Sequence, residues 1–102
     1  MHRQTKSTSI SKETKRRVYE RDKQHCVFCG RLVDESCACA HFIARSQGGL
    51  GVEENILTLC GWCHQQYDNS PYRQEMRTLF SEHLKKHYPD WDEQKLIYKK
   101  GM

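Results

Sequence analysis

Two pairs of cysteines limit what this chain can become more than any other feature. Cys26-Val27-Phe28-Cys29 and Cys60-Gly61-Trp62-Cys63 are both C-x2-C knuckles, and 30 residues separate them. Each knuckle turns two sulfurs to one side, and two knuckles supply the four thiolates of a tetrahedral zinc site. A plain four-cysteine finger places only about 15–20 residues between its pairs. The longer spacer has room for a folded insert. In and beside that insert, His41, Asn55 and His64 are the residues able to do chemistry.

A chain of 102 residues, of which 36% are hydrophobic, makes one domain with a small core. Such a core needs a staple, and metal is the expected one. Six cysteines would also suit a secreted disulfide protein. Against that, the opening Met1-His2-Arg3-Gln4-Thr5-Lys6 has no apolar run behind it, so no signal peptide is expected. No stretch reaches the length of a membrane span. The expectation is therefore zinc thiolates in a reducing, cytoplasmic setting, with redox-active dithiols as the other use of C-x2-C. Cys37 and Cys39 lie outside the knuckles and read as small core residues.

The formal charge is +4, unevenly spread. Residues 1–23 hold Arg3, Lys6, Lys12, Lys15, Arg16, Arg17, Arg21 and Lys23 against only Glu13, Glu20 and Asp22. A basic arm of this kind suits phosphate, and its plainer reading is a solvated tail. Residues 1–10 are expected to be a flexible basic arm, and 11–102 a single folded domain with its core at 26–68.

Ser11 reads as the N-cap of a helix over 12–22, whose narrow apolar edge is Val18 and Tyr19. Gly30 suits a left-handed turn closing the first knuckle. Residues 37–44 alternate as a strand, with Cys37, Cys39, His41 and Ile43 on one face and Ala38, Ala40, Phe42 and Ala44 on the other. A glycine-rich loop over 45–51 leads to a short strand at 56–59 and then a helix from Gly61 to about Asp68. Ser70 and Pro71 predict a helix over 71–88, with Pro71 at its first position and a packing stripe of Tyr72, Met76, Leu79, Phe80 and His83. Asp90 and Glu93 predict a capping box for a last helix over 91–98, folded back through Trp91, Leu96 and Tyr98.

Segment 26–68 resembles the HNH endonucleases that carry a zinc-binding C-x2-C on each side. His41 matches the first His, Asn55 the Asn and His64 the second His. Gly48-Gly49 and Asn55-Ile56-Leu57-Thr58-Leu59-Cys60 match as well, and the basic helix and Tyr98-Lys99-Lys100 do so more loosely. The flanked form is similar to small HNH proteins of phages and prophages. The resemblance implies a zinc-stabilised α+β fold: a ββα-metal, treble-clef-like HNH core with flanking N- and C-terminal helices. It also implies DNA as the partner, in a bacterial host cytoplasm. Phage packaging proteins or other protein partners, and the oligomeric state, stay open.

The roles implied are those of a metal-dependent DNA endonuclease. His41 is the general base, and His64 holds a catalytic divalent ion (manganese, nickel, zinc or magnesium). Asp68, four residues on, shares a helix face with His64 and is the candidate second ligand; its other use is to end the helix. Asn55 completes the catalytic trio, and its own chemistry favours locking the long loop through backbone hydrogen bonds. Cys26, Cys29, Cys60 and Cys63 hold structural zinc, a closed site with no open position for chemistry. Arg16, Arg17 and Arg45 are the candidate DNA contacts. The sequence departs from the family at Ala40, where an Asp or His ligand usually stands. That departure keeps a second reading open: a zinc-clamped HNH-fold module that binds DNA or protein with weak or no catalysis.

Overall fold

The computed structural model describes residues 8–37 and 39–98, without the side chain of Cys37. The expectations resting on Arg3, Lys6, Ala38, Lys99, Lys100 and the Cys37 side chain lie outside the described residues. Among those described, the fold is a small α+β unit of two antiparallel strands and three α-helices: α1 (Lys12–Arg21), β1 (Cys39–His41), β2 (Ile56–Thr58), α2 (Gly61–Asn69) and α3 (Arg73–His87).

Helix α1 starts where its cap predicts, with the Ser11 hydroxyl accepting from the Thr14 amide. It buries Thr14 and Val18 and lies against β2 and the turn at Glu53–Asn55. Tyr19 is only half-buried, and its hydroxyl donates to the Val33 carbonyl. Two consecutive left-handed residues, Lys23 and Gln24, then swing the chain into the first knuckle. There Gly30, at φ 77°, closes the expected turn, and the Val27 amide donates to Thr58 at the end of β2.

The expected strand 37–44 keeps three residues, because Glu35–Cys37 forms a 3-10 turn at one end and Asn55 stops the ladder at the other. The pairing runs Cys39 to Thr58, Ala40 to Leu57 and His41 to Ile56, and the Phe42 amide still reaches the Asn55 carbonyl. At Ile43 the Asn55 side chain replaces the next backbone partner, its Oδ1 accepting from the Ile43 amide at 2.9 Å. The ladder ends, and the chain turns through Arg45–Gln47. Ile43 is thereby buried instead of sharing the half-open face of Cys39 and His41.

Helix α3 starts later than expected. Ser70 closes a turn by accepting from the Tyr72 amide, so Pro71 precedes the helix instead of opening it. The stripe it buries is Met76, Phe80 and Leu84, at strict four-residue spacing, while Tyr72 and Leu79 stay exposed. His83 is half-buried and turned toward α1. The helix expected at 91–98 shrinks to a 3-10 turn at Glu93–Leu96, capped by Asp92 and not by Asp90. Glu93 pairs instead with Arg77 at 2.6 Å. The segment does fold back: Leu96 is buried, Trp91 meets Phe42 edge-on, and Tyr98 donates its amide to Gly48.

The core is shared between the sheet and α2–α3. Ala40, Phe42, Leu57 and Leu59 pack with Tyr67, Met76, Phe80, Leu84 and Leu96, and the buried cysteines continue the same cluster. No helix among the described residues is long and apolar enough to cross a membrane.

Candidate functional site

The two knuckles meet. Cys26, Cys29, Cys60 and Cys63 place their sulfurs within 4.8 Å of one another. The Cys29 and Cys60 sulfurs are 3.8 Å apart, close to the roughly 3.8 Å edge of a tetrahedron with 2.3 Å zinc–sulfur bonds. In each knuckle a backbone amide points at the first sulfur, Cys29 at Cys26 and Cys63 at Cys60. Burial acts against a thiolate at Cys60, but the Cys63 amide and the neighbouring thiols overcome it and draw its pKa down to about 7. Burial and shared protons push Cys63 and Cys29 the other way. One dication would replace those shared protons, and the donor set and spacing fit a zinc ion. Cys39 stands apart, a half-buried thiol whose pKa burial raises.

Strand β1 and helix α2 form the walls of a cleft of about 290 Å³. His41, Arg45, His64 and Asp68 all line it, together with Tyr67 and Arg73. His64 Nε2 lies 3.6 Å from Asp68 Oδ2, one helical turn on. Both side chains are well exposed, at 40% and 56%, so the pair is open to an ion or a phosphate from solvent.

His41 is more enclosed. Its Nε2 is 2.9 Å from the carbonyl oxygen of Thr8, in the segment before α1. A carbonyl only accepts, so the bond places a proton on Nε2 and leaves the lone pair on Nδ1. Burial holds the His41 pKa below that of an ordinary histidine, and positive charge on Arg45 and His64 acts in the same direction. The ring is therefore neutral at neutral pH.

The segment that supplies this carbonyl is fitted into place. Thr8 is only 2% exposed. A Cβ at Gly51 would lie 2.0 Å from the Ser9 carbonyl oxygen, so no other residue could sit at 51 with the segment where it is. Arg45 leans on the same residues, its guanidinium 3.4 Å from the Thr8 hydroxyl and 3.5 Å from that of Ser9. The folded body thus begins before Ser11.

Asn55 does not line the cleft. It is fully buried, and its Nδ2 donates to the Ile43 and Leu50 carbonyls while Oδ1 takes the Ile43 amide. All its contacts hold the loop that carries Arg45. Ala40 faces away as well, into the apolar core beside Leu57. An Asp there would meet hydrocarbon and not the cleft.

Of the other basic candidates, Arg16 is exposed on α1 beside Lys12 and Lys15. Arg17 is tied to Glu53 at 2.6 Å. Arg73, Thr8 and Tyr67 are cleft or cleft-side residues absent from the sequence reading. Arg73 stacks over Tyr67 at 4.4 Å and donates to its carbonyl. The phosphate-binding chemistry of arginine was its only available signal.

The family model for the HNH endonucleases matches residues 26–70, a little under half of the chain. No curated protein matches the chain.

Proposed function

We propose that this protein, whose residues 26–70 match the HNH endonuclease family model, hydrolyses DNA phosphodiester bonds with one catalytic divalent ion. The observation that carries the reading is the convergence of His41, Arg45, His64 and Asp68 on one cleft. When bound, such an ion polarises the scissile phosphate and steadies the leaving oxygen. His64 and Asp68 are the residues to hold it.

His41 takes the proton from the attacking water at Nδ1 and keeps its own proton on Nε2, hydrogen-bonded to the Thr8 carbonyl. The Thr8 carbonyl fixes the tautomer and the ring's aim. Arg45 and Arg73 at the rim hold phosphate oxygens. The exposed Lys12, Lys15 and Arg16 on α1 add sequence-neutral grip, within a single nuclease domain over 11–102. The four cysteines hold a structural zinc that ties the first knuckle to α2 and does no chemistry. Four cysteines kept as zinc ligands rather than disulfides suit a reducing cytoplasm.

His64 and Asp68 are the only two cleft residues proposed to hold the ion, so it has few protein ligands. The reading therefore expects a weak metal site that favours imidazole-binding ions such as manganese, nickel or zinc over magnesium. The test is a metal titration of supercoiled-plasmid cleavage. His64→Ala should abolish cleavage or raise the ion concentration needed at least tenfold, and Asp68→Ala should raise it less. Three superimposable curves would remove both residues from the metal site. DNA binding without cleavage under any ion would leave the binding-module reading in its place.

A further inference from the structure

A second group of metal-competent side chains lies away from both the cysteines and the cleft. Asp22 stands at the end of α1, and His83 and His87 are one turn apart on α3. One ligand atom from each falls within 4.8 Å of the other two. His83 Nε2 is 2.8 Å from Asp22 Oδ1, and the two imidazole rings are 4.6 Å apart. We propose that Asp22, His83 and His87 form a second metal centre, one that takes a transition-metal ion.

The three groups are layered from inside to outside. The Asp22 side chain is 1% exposed and that of His83 22%, while His87 is open to solvent beside a surface cleft lined by Arg17, Glu20, Arg21, Glu53 and Tyr88. An ion therefore has a route to the carboxylate past His87. Ligand atoms at about 2.1 Å from a common ion are roughly 3.0–3.4 Å apart. The Asp22–His83 spacing is already close to that, and the exposed His87 side chain is free to close the rest.

Metal binding displaces the Nε2 proton of His83, which passes to solvent where the ring is protonated. His83 now donates its Nε2 proton to Asp22. With an ion in that place, the neutral ring carries its proton on Nδ1 and gives the Nε2 lone pair to the metal. His87 meets the ion as the neutral ring, since burial and the charges on His83 and Arg21 hold its pKa below the ordinary value.

The neighbours decide which ion fits. Arg21 donates from Nε and one terminal nitrogen to the two oxygens of Asp22, and the Thr58 amide also donates to Oδ2. These bonds fix the carboxylate, but the guanidinium opposes any extra positive charge. A hard ion bound mainly by charge, such as magnesium or calcium, gains little there. An ion bound through imidazole, such as nickel, copper, cobalt or zinc, keeps two good ligands. Since Asp22 joins α1 to β2 and the histidines belong to α3, the ion would staple all three elements and stabilise the fold by linkage.

The experiment uses the zinc-loaded full chain titrated with nickel, comparing wild type, His87→Ala and His64→Ala. Bound nickel is read by equilibrium dialysis with elemental analysis, and stability by Tm. His87 lies on the surface, and the zinc content and nickel-free Tm of His87→Ala check that it folds. The expected result is that wild type binds one nickel more per chain than His87→Ala, and that nickel raises the Tm of wild type more than that of this variant. His64→Ala should keep both the extra ion and the Tm rise, which separates this centre from the nuclease cleft. Equal nickel uptake by wild type and His87→Ala would overturn the proposal and leave Asp22–His83 as an ion pair only.

Discussion

The carbonyl oxygen of Thr8 lies 2.9 Å from Nε2 of His41, across 33 residues of sequence. A basic arm expected to be loose thus reaches the ring proposed to activate water and fixes its tautomer. Deleting residues 1–9 should therefore lower cleavage about tenfold to a hundredfold while DNA binding falls far less. Gly51→Val, which displaces the same segment from within the fold, should do likewise. Cleavage and binding falling together by the same factor would show that the segment only grips DNA.

The pH dependence follows from the environment of His41. Its folded pKa is lowered, mainly by burial. The base is the neutral ring, present above that pKa and lost as pH falls through it. Cleavage at saturating metal should therefore decline on the acid side with a midpoint below the ordinary histidine value. A decline already centred above 6.5 would contradict the lowered value.

Asn55 separates loop architecture from chemistry. Asn55→Ala leaves the Ile43 amide and carbonyl and the Leu50 carbonyl without their partner. The expected loss is about 3 kcal/mol of unfolding free energy, measured by urea denaturation of the zinc-loaded protein. An unchanged stability with lost cleavage would instead make Asn55 a reacting group.

Asp22→Ala should be among the most destabilising changes outside the cysteines. It strands the buried Arg21 guanidinium and the Thr58 amide and releases His83. Breaking a buried pair of this kind costs about 3–5 kcal/mol. Denaturation at neutral pH measures it, and a cost under about 1 kcal/mol, the range of a surface pair, would show that water replaces the carboxylate freely.

The parts legible in the sequence are those where side-chain type and spacing carry the information. The two C-x2-C pairs imply a four-sulfur cluster because the short loop within each pair turns both of its sulfurs to one side. His64 and Asp68 share a face because a helix repeats every 3.6 residues. The N-cap at Ser11 and the left-handed Gly30 are local signals of the same kind. What the sequence hides depends on distant partners or on backbone atoms. The Thr8 contact is made by a carbonyl, which every residue owns. Arg21 and Asp22 look like two more charges in a basic stretch, and only folding buries them against Ile56, Thr58 and His83. The strand 37–44 has a sound alternating pattern, yet Asn55 ends its ladder from across the sheet. The stripe on α3 was misplaced because Tyr72 and Leu79 are apolar enough to pack but have nothing above them, whereas Leu84 does.

The central claim is that His41 does chemistry in a fold it does not hold together. The most direct measurement is the rate of plasmid nicking with added manganese or nickel by wild type and His41→Ala, matched for zinc content, helix content and DNA affinity. The expected result is a loss of at least about a hundredfold in His41→Ala with those three properties unchanged. Equal rates in the two proteins, or no nicking by either with any divalent ion, would contradict it.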